Sequence, residues 1–200
     1  MRKRDAVICA IICMLLFVFI GIKNYFFNQI SPNSNENIIV GIESVEIESM
    51  QDYDVKFREY GWSEKLKKAI DKAPDDYMFI SIYYVVKNLS DNTEMQDIRF
   101  CLKLDKNMRG IVETFNPGNG TYFITAFPMK TTGLRQHILI KKDGKSENEI
   151  LDLIYEQTTR MTYYTGASMT SGGHISKYNY TFNIKNAIET YQKNSNIFSN

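Results

Sequence analysis

Apolar and polar positions alternate along most of the chain, which predicts a protein built mainly of β-strands. The clearest strand covers residues 77–87, where the apolar face is Met78, Ile80, Ile82, Tyr84 and Val86. Residues 97–104 repeat the pattern with Ile98, Phe100, Leu102 and Leu104 on one face. Successive side chains of a strand point to opposite faces, so a period of two indicates half-buried strands. The polar turn at residues 88–92 predicts that these two strands pair as an antiparallel hairpin.

Weaker alternation predicts further strands, at 38–47 with a bulge near 41–44, 110–115, 121–127, 134–141, 159–165 and 175–184. Two short helices interrupt them. One covers residues 63–73 behind the cap Ser63, and the other covers 147–157 behind Ser146, which forms a capping box with Glu149. Seven or eight strands with two helices predict a mainly β protein, an antiparallel β-sandwich over residues 38–186, with an α+β fold as the alternative. Residues 187–200 are predicted to be a polar tail.

The N-terminal region has a different pattern, because residues 6–22 contain no charged or strongly polar side chain. About 20 apolar residues span a bilayer as a helix, and the aromatic residues 25–27 extend the run. We therefore expect a basic N-terminus at 1–5, a transmembrane signal-anchor helix at 6–27 and an Asn/Ser-rich spacer at 28–37. A cleaved signal peptide is the alternative, although bulky residues stand where a signal peptidase requires small ones.

The basic residues predict the orientation of this span. Arg2, Lys3 and Arg4 precede it, whereas only Lys23 follows closely. By the positive-inside rule, the N-terminus is cytoplasmic and the C-terminal domain of this single-pass protein is extracellular. Membrane lipid is then a partner, through residues 6–27.

Charge and cysteine content narrow the setting of the C-terminal domain. Residues 24–200 carry 20 basic and 22 acidic side chains, a balance that argues against nucleic-acid binding. Cys101 is the only cysteine after the apolar segment, so an internal disulfide is impossible there. Exported eukaryotic domains of this size usually carry disulfides, so the lack of a possible disulfide favours a bacterial cell envelope as the setting.

Residues with catalytic or metal-binding potential are sparse. The chain has no Gly-x-Ser-x-Gly motif, and its two histidines are His137, expected as a partly exposed strand residue, and His174, expected in a glycine-rich loop. A structural zinc site needs four Cys or His ligands, and the chain after the apolar segment has one Cys and two His. The acidic pairs Asp52/Asp54 and Asp75/Asp76 do not continue into the alternating oxygen ligands of a calcium loop. We therefore predict no catalytic, cofactor-binding or metal residue, and no cofactor. Cys101 is either a reactive thiol or an inert strand residue.

Tyrosines provide the one indication of binding. Tyr83, Tyr122, Tyr155, Tyr163 and Tyr164 fall outside the clearest core faces. Exposed tyrosines stack on sugars and anchor protein interfaces, because they offer a large contact area at low entropic cost. The alternative is that tyrosine simply has a high β-propensity.

Two segments carry a resemblance to a known class of proteins. Residues 80–90, ISIYYVVKNLS, form a long strand that ends in Lys-Asn-x-Ser. Residues 138–144, ILIKKDG, precede a capped helix and then RMTYY at 160–164. The chain thereby resembles small bacterial membrane-anchored extracellular immunoglobulin-like domain proteins of unknown function. The resemblance implies an immunoglobulin-like fold and a surface-displayed, non-enzymatic module, and it transfers no catalytic residue.

These observations predict a membrane-anchored cell-envelope protein that displays a non-enzymatic β-sandwich for binding or assembly. Its expected partner is a cell-wall polymer or an envelope protein. The alternatives are an envelope enzyme or inhibitor, and a structural subunit of a membrane complex.

Overall fold

The computed structural model describes residues 37–48, 50, 62–116, 118–165 and 176–199. The expected span at 6–27 and nearly all of its spacer lie outside these residues. Within the described ranges, no helix combines the length and apolar character needed to cross a membrane.

Eight strands and five helices make up the described residues, with one 3₁₀ turn at Pro74–Asp76. The strands are β1 Ile38–Glu48, β2 Tyr77–Asn88, β3 Met95–Lys103, β4 Val112–Asn116, β5 Ile124–Ala126, β6 Thr131–Lys141, β7 Thr158–Thr165 and β8 Ser176–Asn183. The helices are α1 Glu64–Lys72, α2 Lys106–Arg109, α3 Glu147–Tyr155, α4 Ile184–Lys193 and α5 Ser195–Phe198.

The strands form two four-stranded antiparallel sheets. The first sheet has the order β1-β2-β6-β4, and the second has the order β5-β3-β7-β8. Their inner faces share one hydrophobic core, and the rings of Tyr84 (β2) and Phe100 (β3) stack across it with centroids 4.4 Å apart. The Tyr84 hydroxyl lies 3.3 Å from the Thr159 hydroxyl of β7. This arrangement is a β-sandwich, as the alternating pattern predicts.

The predicted hairpin of β2 with β3 is wrong, because the two strands lie in different sheets. The connection between them crosses from one sheet to the other, and the buried Asn88 side chain organises it. Its amide donates to the carbonyl oxygens of Thr93 and Ala126, at 2.7 and 3.0 Å, and its oxygen accepts from the Ser90 amide at 3.0 Å. A strand's alternation reports that one face is buried, but it does not report which neighbour the strand pairs with.

The two predicted helices are present, with the predicted caps. Ser63 Oγ accepts from the Leu66 amide at 3.2 Å at the start of α1. Ser146 Oγ accepts from the Glu149 amide at 3.3 Å, while the Glu149 carboxylate accepts from the Ser146 amide at 2.8 Å. Local sequence determines both starts, since a cap needs only residues three positions apart.

Three further helices correct the prediction of two. The segment 187–200, predicted to be a polar tail, contains most of α4 and all of α5. Gly41 explains the close packing of α4 on β1: a Cβ atom there would lie 3.0 Å from Tyr191 Cβ and 3.2 Å from Phe198 Cζ. The apolar residues of α4 do have helical spacing, at Ile184, Ala187 and Ile188, but Ile184 also continues the alternation of the strand before it and was assigned to that strand.

Strand β2 is covered on both faces, unlike the half-buried strand predicted. Its even-numbered residues face the shared core, and its odd-numbered residues face the outer side of the first sheet. A second apolar cluster covers one part of that outer side; it consists of Met50, Trp62, Ile70, Tyr77, Phe79 and Leu139, with Leu66 and Ala69 of α1 packed against it. The Trp62 and Phe79 rings stack with centroids 6.0 Å apart.

Candidate functional site

The outer face of the first sheet carries the best candidate site. The Trp62 cluster under α1 covers one end of this face, and Tyr191 and Phe198 of α4 and α5 cover the other end. Between them, β1, β2 and β6 present polar side chains. We call this strip the polar trough; its residues are Glu43, Ser44, Glu46, Glu48, Ser81, Tyr83, Arg135 and His137.

Strand register brings these side chains together. Glu46 of β1 lies opposite Ser81 of β2, and Ser81 lies opposite His137 of β6. Directly opposite residues of antiparallel strands project from the same face of the sheet, so the three form one row across the trough. Glu48 lies two positions from Glu46 along β1, and Arg135 lies two positions from His137 along β6, so both side chains project from the same face.

The β-bulge predicted near residues 41–44 is present and shapes this face. The register shifts between Ile42 and Ser44, so Glu43 is the extra residue. A bulge redirects side chains that would otherwise alternate. Ile42 and Val45 both pack in the core, which leaves Glu43 and Ser44 together in the trough.

Five side chains form a hydrogen-bonded network at the floor of the trough. Ser81 Oγ lies 2.5 Å from Glu48 Oε1 and 2.6 Å from His137 Nδ1. Arg135 Nη2 donates to Glu48 Oε1 at 2.6 Å and to Glu46 Oε2 at 3.0 Å. The Ser81 hydroxyl donates its single proton to Glu48, so the contact with His137 is a hydrogen bond in the tautomer whose Nδ1 carries the proton and donates to Ser81 Oγ.

The surroundings of His137 favour the neutral form of its imidazole. Partial burial lowers the pKa of its imidazole below the ordinary 6.5, and the nearby Arg135 guanidinium lowers it further, while the Glu48 carboxylate opposes both effects. A neutral imidazole leaves the trough with three carboxylates, Glu43, Glu46 and Glu48, against one guanidinium. The site therefore has a negative excess.

The Ser81, His137 and Glu48 group differs from a catalytic triad. In a triad, the histidine uses one ring nitrogen for the serine and the other for the acid. Here Ser81 Oγ and Glu48 Oε2 both approach Nδ1, at 2.6 and 3.6 Å. Ser81 is also only 1% exposed, so its hydroxyl is out of reach of a substrate in the trough.

Tyr83 forms the aromatic part of the trough. Its ring lies over Gly133 of β6, where a Cβ atom would be 3.1 Å from Tyr83 Cζ. The absence of a side chain at Gly133 lets the ring lie across the neighbouring strand. Tyr83, Arg135, Glu43, Ser44 and Glu46 line an open space of about 440 Å³.

Tyr191 of α4 borders the trough on its other side. Its hydroxyl donates to Glu43 Oε1 at 3.0 Å, and partial burial, followed by the Glu43 carboxylate, raises the pKa of the phenol above its ordinary value. An adjoining space of about 270 Å³ extends the trough over Val85 and Thr131 to Phe198. Strands hold most of these side chains, and rigid elements position binding groups better than loops do.

A second open space of about 850 Å³ lies between α3 and α4. Its lining includes four carboxylates, on Glu149, Asp152, Glu156 and Glu189, and two lysines, Lys145 and Lys185, around Leu153, Tyr155 and Ile188. The pKa of Glu149 is lowered, but the Ser146 amide and hydroxyl of its own helix cap account for that. The polar trough is the stronger candidate because hydrogen bonds join its polar side chains and the Tyr83 ring packs against Gly133.

The remaining residues weighed from the sequence are scattered. His174, Asp52 and Asp54 lie outside the described residues, and Asp75 and Asp76 are exposed in the 3₁₀ turn. Cys101 of β3 is half-buried, with Gly120 folded against its Cβ. Within the described part of the chain, no group of three or more His, Cys, Asp or Glu side chains could hold a metal ion.

The five tyrosines have separate environments. Tyr83 lies in the trough, Tyr155 borders the space between α3 and α4, and Tyr122 is 58% exposed. Lys177 lies over the Tyr164 ring, with Nζ 5.6 Å from the ring centroid. Tyr163 corrects the prediction, because it is only 1% exposed and stacks with Tyr178 and Tyr180 in the core. Thr159, Met161 and Tyr163 share the inward face of β7, and the threonine obscured that face in the sequence.

Sequence reasoning missed the charged half of the trough. Glu46, Glu48 and Arg135 were not identified as site residues. Two sequence signals were present: glutamates at alternate positions of β1, and a single serine, Ser81, within the apolar and aromatic run at residues 77–86. Neither signal identifies a site until the strand register places the residues side by side.

No protein-family model matches this chain, and no curated protein is similar to it at a significant level. The solved structures that align with it include the following two. One is a protein from Archaeoglobus fulgidus, 11% identical, with 70% of this chain and 94% of that chain covered at a TM-score of 0.23. The other is the cupredoxin domain of amoB from Nitrosocaldus yellowstonii, 12% identical, with 72% and 85% covered at a TM-score of 0.25. At such low TM-scores, these similarities support no argument about what this chain does.

Proposed function

We propose that this chain is a membrane-anchored cell-envelope protein that displays a non-enzymatic immunoglobulin-like sandwich, and that the sandwich binds its partner in the polar trough. The apolar segment 6–27 supplies the anchor in this proposal, with the N-terminus cytoplasmic and the sandwich extracellular. The observation that carries the binding role is the trough itself, in which an aromatic ring, an arginine and carboxylates are held on three adjacent strands.

Strand order supports the immunoglobulin-like part of the proposal. Immunoglobulin constant-type domains place strands A-B-E-D in one sheet and C-F-G in the other. Matching A to G with β1, β2, β3, β4, β6, β7 and β8 reproduces both orders, β1-β2-β6-β4 and β3-β7-β8. The short β5 is then an additional edge strand beside β3.

The chemistry of the trough favours a ligand rich in hydroxyl groups that is neutral or carries positive charge. Tyr83 offers a ring face for stacking, as aromatic residues do in sugar recognition. Glu43 and Glu46 are exposed carboxylates that accept hydrogen bonds from hydroxyl or ammonium groups, and the negative excess repels polyanions. A cell-wall glycan with free amino groups has this chemistry.

The non-enzymatic part of the proposal is supported by the floor of the trough. Ser81 is hydrogen-bonded to Glu48, and both side chains approach the same ring nitrogen of His137, Nδ1. These groups therefore stabilise the shape of the site. The prediction is that Ser81→Ala weakens the fold modestly and leaves ligand capture intact. Loss of capture with an unchanged fold would instead favour the alternative of an envelope enzyme.

The binding role is tested with the full chain in detergent micelles, by co-sedimentation with insoluble wall polymer. Tyr83→Ala should reduce the bound fraction at least fivefold, because it removes the stacking ring. Tyr122→Ala is the matched control. It removes an exposed tyrosine from the connection between β4 and β5, outside the trough, and should leave binding unchanged. Equal binding by both variants and the parent chain would refute the trough as the site.

The proposed topology has its own test, protease treatment of intact cells with a tag at the C-terminus. The tag should be lost without permeabilisation of the membrane. Protection of the tag until the inner membrane is opened would place the sandwich in the cytoplasm and refute the extracellular assignment.

A further inference from the structure

Several strand ends meet at one end of the sandwich, which we call the entry end. Here β1 begins at Ile38 opposite Asn88, the last residue of β2, and β6 begins at Thr131. Backbone hydrogen bonds tie the connections together: the Leu89 amide donates to the Asn37 carbonyl at 2.8 Å, and the Asn88 amide donates to the Lys130 carbonyl at 3.0 Å. The chain that comes from residues 6–36 therefore enters the sandwich at this end.

The turn between β5 and β6 exposes two apolar side chains at the entry end. Phe127 is 59% exposed and Met129 is 49% exposed. The Lys130 amide donates to the Phe127 carbonyl at 3.1 Å, which closes the turn, and the Met129 amide donates to the Ser90 carbonyl at 3.2 Å, which fixes it to the neighbouring connection. The two side chains are thus presented by an anchored turn.

Met129 has a backbone conformation that normally selects glycine. Its φ is +57°, and it follows Pro128, a pattern that matches the third position of a type II turn. Glycine or asparagine is the usual residue there, because a side chain at positive φ is strained. A bulky apolar side chain is nevertheless held in this conformation while half exposed, which points to a contact outside the sandwich.

Charges at the entry end are balanced among the described residues. Lys130 and Lys177 are exposed, as is Asp91, and Glu94 is half-buried. The surface therefore lacks the basic excess that draws proteins to anionic headgroups. Any attraction to a lipid surface must come from the apolar side chains themselves.

Chain length places the entry end near a membrane if the proposed anchor is correct. The spacer at residues 28–37 has ten residues, which reach at most about 35 Å when fully extended. A tether of this length gives the turn a high effective concentration at the bilayer surface, so that even a weak apolar contact is populated.

We propose that Phe127 and Met129 insert into the lipid interface and hold the sandwich against the membrane by its entry end. The inference rests on the proposed membrane anchor. It adds a second, reversible lipid contact, made by the turn at residues 127–130, to the one made by residues 6–27. Because the contact is apolar, it is insensitive to salt.

Tryptophan fluorescence of the full chain in vesicles tests this contact. Phe127→Trp adds one indole to the natural Trp62, and the unsubstituted chain supplies the Trp62 baseline. Tyr122→Trp is the matched control, because Tyr122 is exposed to the same extent, 58%, but lies farther along the edge beside β3. Vesicles contain phosphatidylcholine with a minor fraction of phosphatidylglycerol, with or without brominated acyl chains.

The expected result is that brominated lipid quenches at least half of the emission added by Phe127→Trp, equally in low and high salt, and leaves that added by Tyr122→Trp unchanged. Introducing Met129→Gly into the Phe127→Trp chain should reduce this quenching about twofold without unfolding the sandwich, because glycine suits the positive φ. Quenching of both indoles alike would overturn the proposal, since it would indicate unspecific adsorption.

Flotation of the same samples separates this inference from the proposed function. Chains that float with the vesicles and show no quenching of the new indole refute the lipid contact alone. Chains that fail to float refute the anchor and the contact together. A blue shift of the new indole that grows with protein concentration in detergent would identify a second copy of the chain as the occupant, and would overturn the proposal as well.

Discussion

Replacement of Asn88 by alanine should strongly destabilise the sandwich, although the side chain is small and lies at the end of a strand. Asn88 is only 1% exposed, and the three hydrogen bonds of its side chain hold the crossover between the two sheets: two as donor to Thr93 and Ala126, and one as acceptor from Ser90. Asn88→Ala removes them and leaves one amide and two carbonyl groups without that partner.

The magnitude follows from these bonds. A net contribution of about 1 kcal/mol for each hydrogen bond gives a loss of about 3 kcal/mol, and the unpaired buried groups increase it. A domain of this kind has a total stability of about 5–15 kcal/mol, so the variant should unfold at a clearly lower denaturant concentration.

The assay is urea unfolding of the full chain in detergent micelles, followed by the fluorescence of Trp62, the only tryptophan. Trp62 is buried against Phe79 in the outer cluster, so its emission reports loss of the sandwich. Asn92→Ala is the matched control, because Asn92 lies in the same connection but is exposed. It should change the free energy of unfolding by no more than about 0.5 kcal/mol.

A loss below about 1 kcal/mol for Asn88→Ala, or a loss equal to that of the control, would refute the argument that this side chain organises the crossover. A further variant tests the donor role. Asn88→Asp keeps the acceptor but places a carboxylate against two carbonyl oxygens, which raises its pKa in the folded state. Its stability should therefore increase as the pH falls and the carboxylate takes up a proton.

Three further predictions concern the pH response, the C-terminal helix and a helix cap. Because the pKa of His137 is lowered in the folded state, its contribution to the free energy of unfolding is complete above pH 6.5 and is lost as the pH falls below that value. In urea titrations, His137→Gln should therefore lose less stability than the parent chain as the pH falls. An equal loss of stability in both chains would contradict the lowered pKa. Gly41→Ala should cost about 1–3 kcal/mol and speed amide hydrogen exchange in α4, because its Cβ would lie 3.0 Å from Tyr191 Cβ; unaltered exchange would argue against the close packing. Ser146→Ala should lower the free energy of unfolding in urea by about 1 kcal/mol, because it removes the hydroxyl that accepts from the Glu149 amide at the start of α3. An unchanged free energy of unfolding would show that α3 does not depend on this cap.

Elements whose signals are local were predicted well. Ser63 and Ser146 marked helix starts, because a cap is formed by residues three positions apart. The bulge at the Ile42–Ser44 register shift also came from local sequence, since the apolar alternation of β1 changes phase there. The helical spacing of Ile184, Ala187 and Ile188 in α4 is also a local signal, but the alternation of the preceding strand β8 obscured where the helix begins.

The candidate site could not be predicted in the same way. Ser81 and His137 are 56 positions apart, and Arg135 lies 87 positions from Glu48. Each of these residues has an unremarkable local context, and only the pairing of β1, β2 and β6 places them on one face. The hypothesis of tyrosine-based binding stays a prediction; of its five residues, Tyr83 lines the trough, whereas Tyr163 is buried in the core.

The sequence by itself determined the mainly β composition, the strand faces and the caps of α1 and α3, because side-chain alternation and capping depend on residues a few positions apart. Only the tertiary structure decided that β2 and β3 lie in different sheets, that residues 184–198 pack as helices on β1, and that the trough exists. The physical reason is that alternation shows which face of a strand is buried, whereas the partner strand and the cover on its second face depend on contacts between residues far apart in the chain.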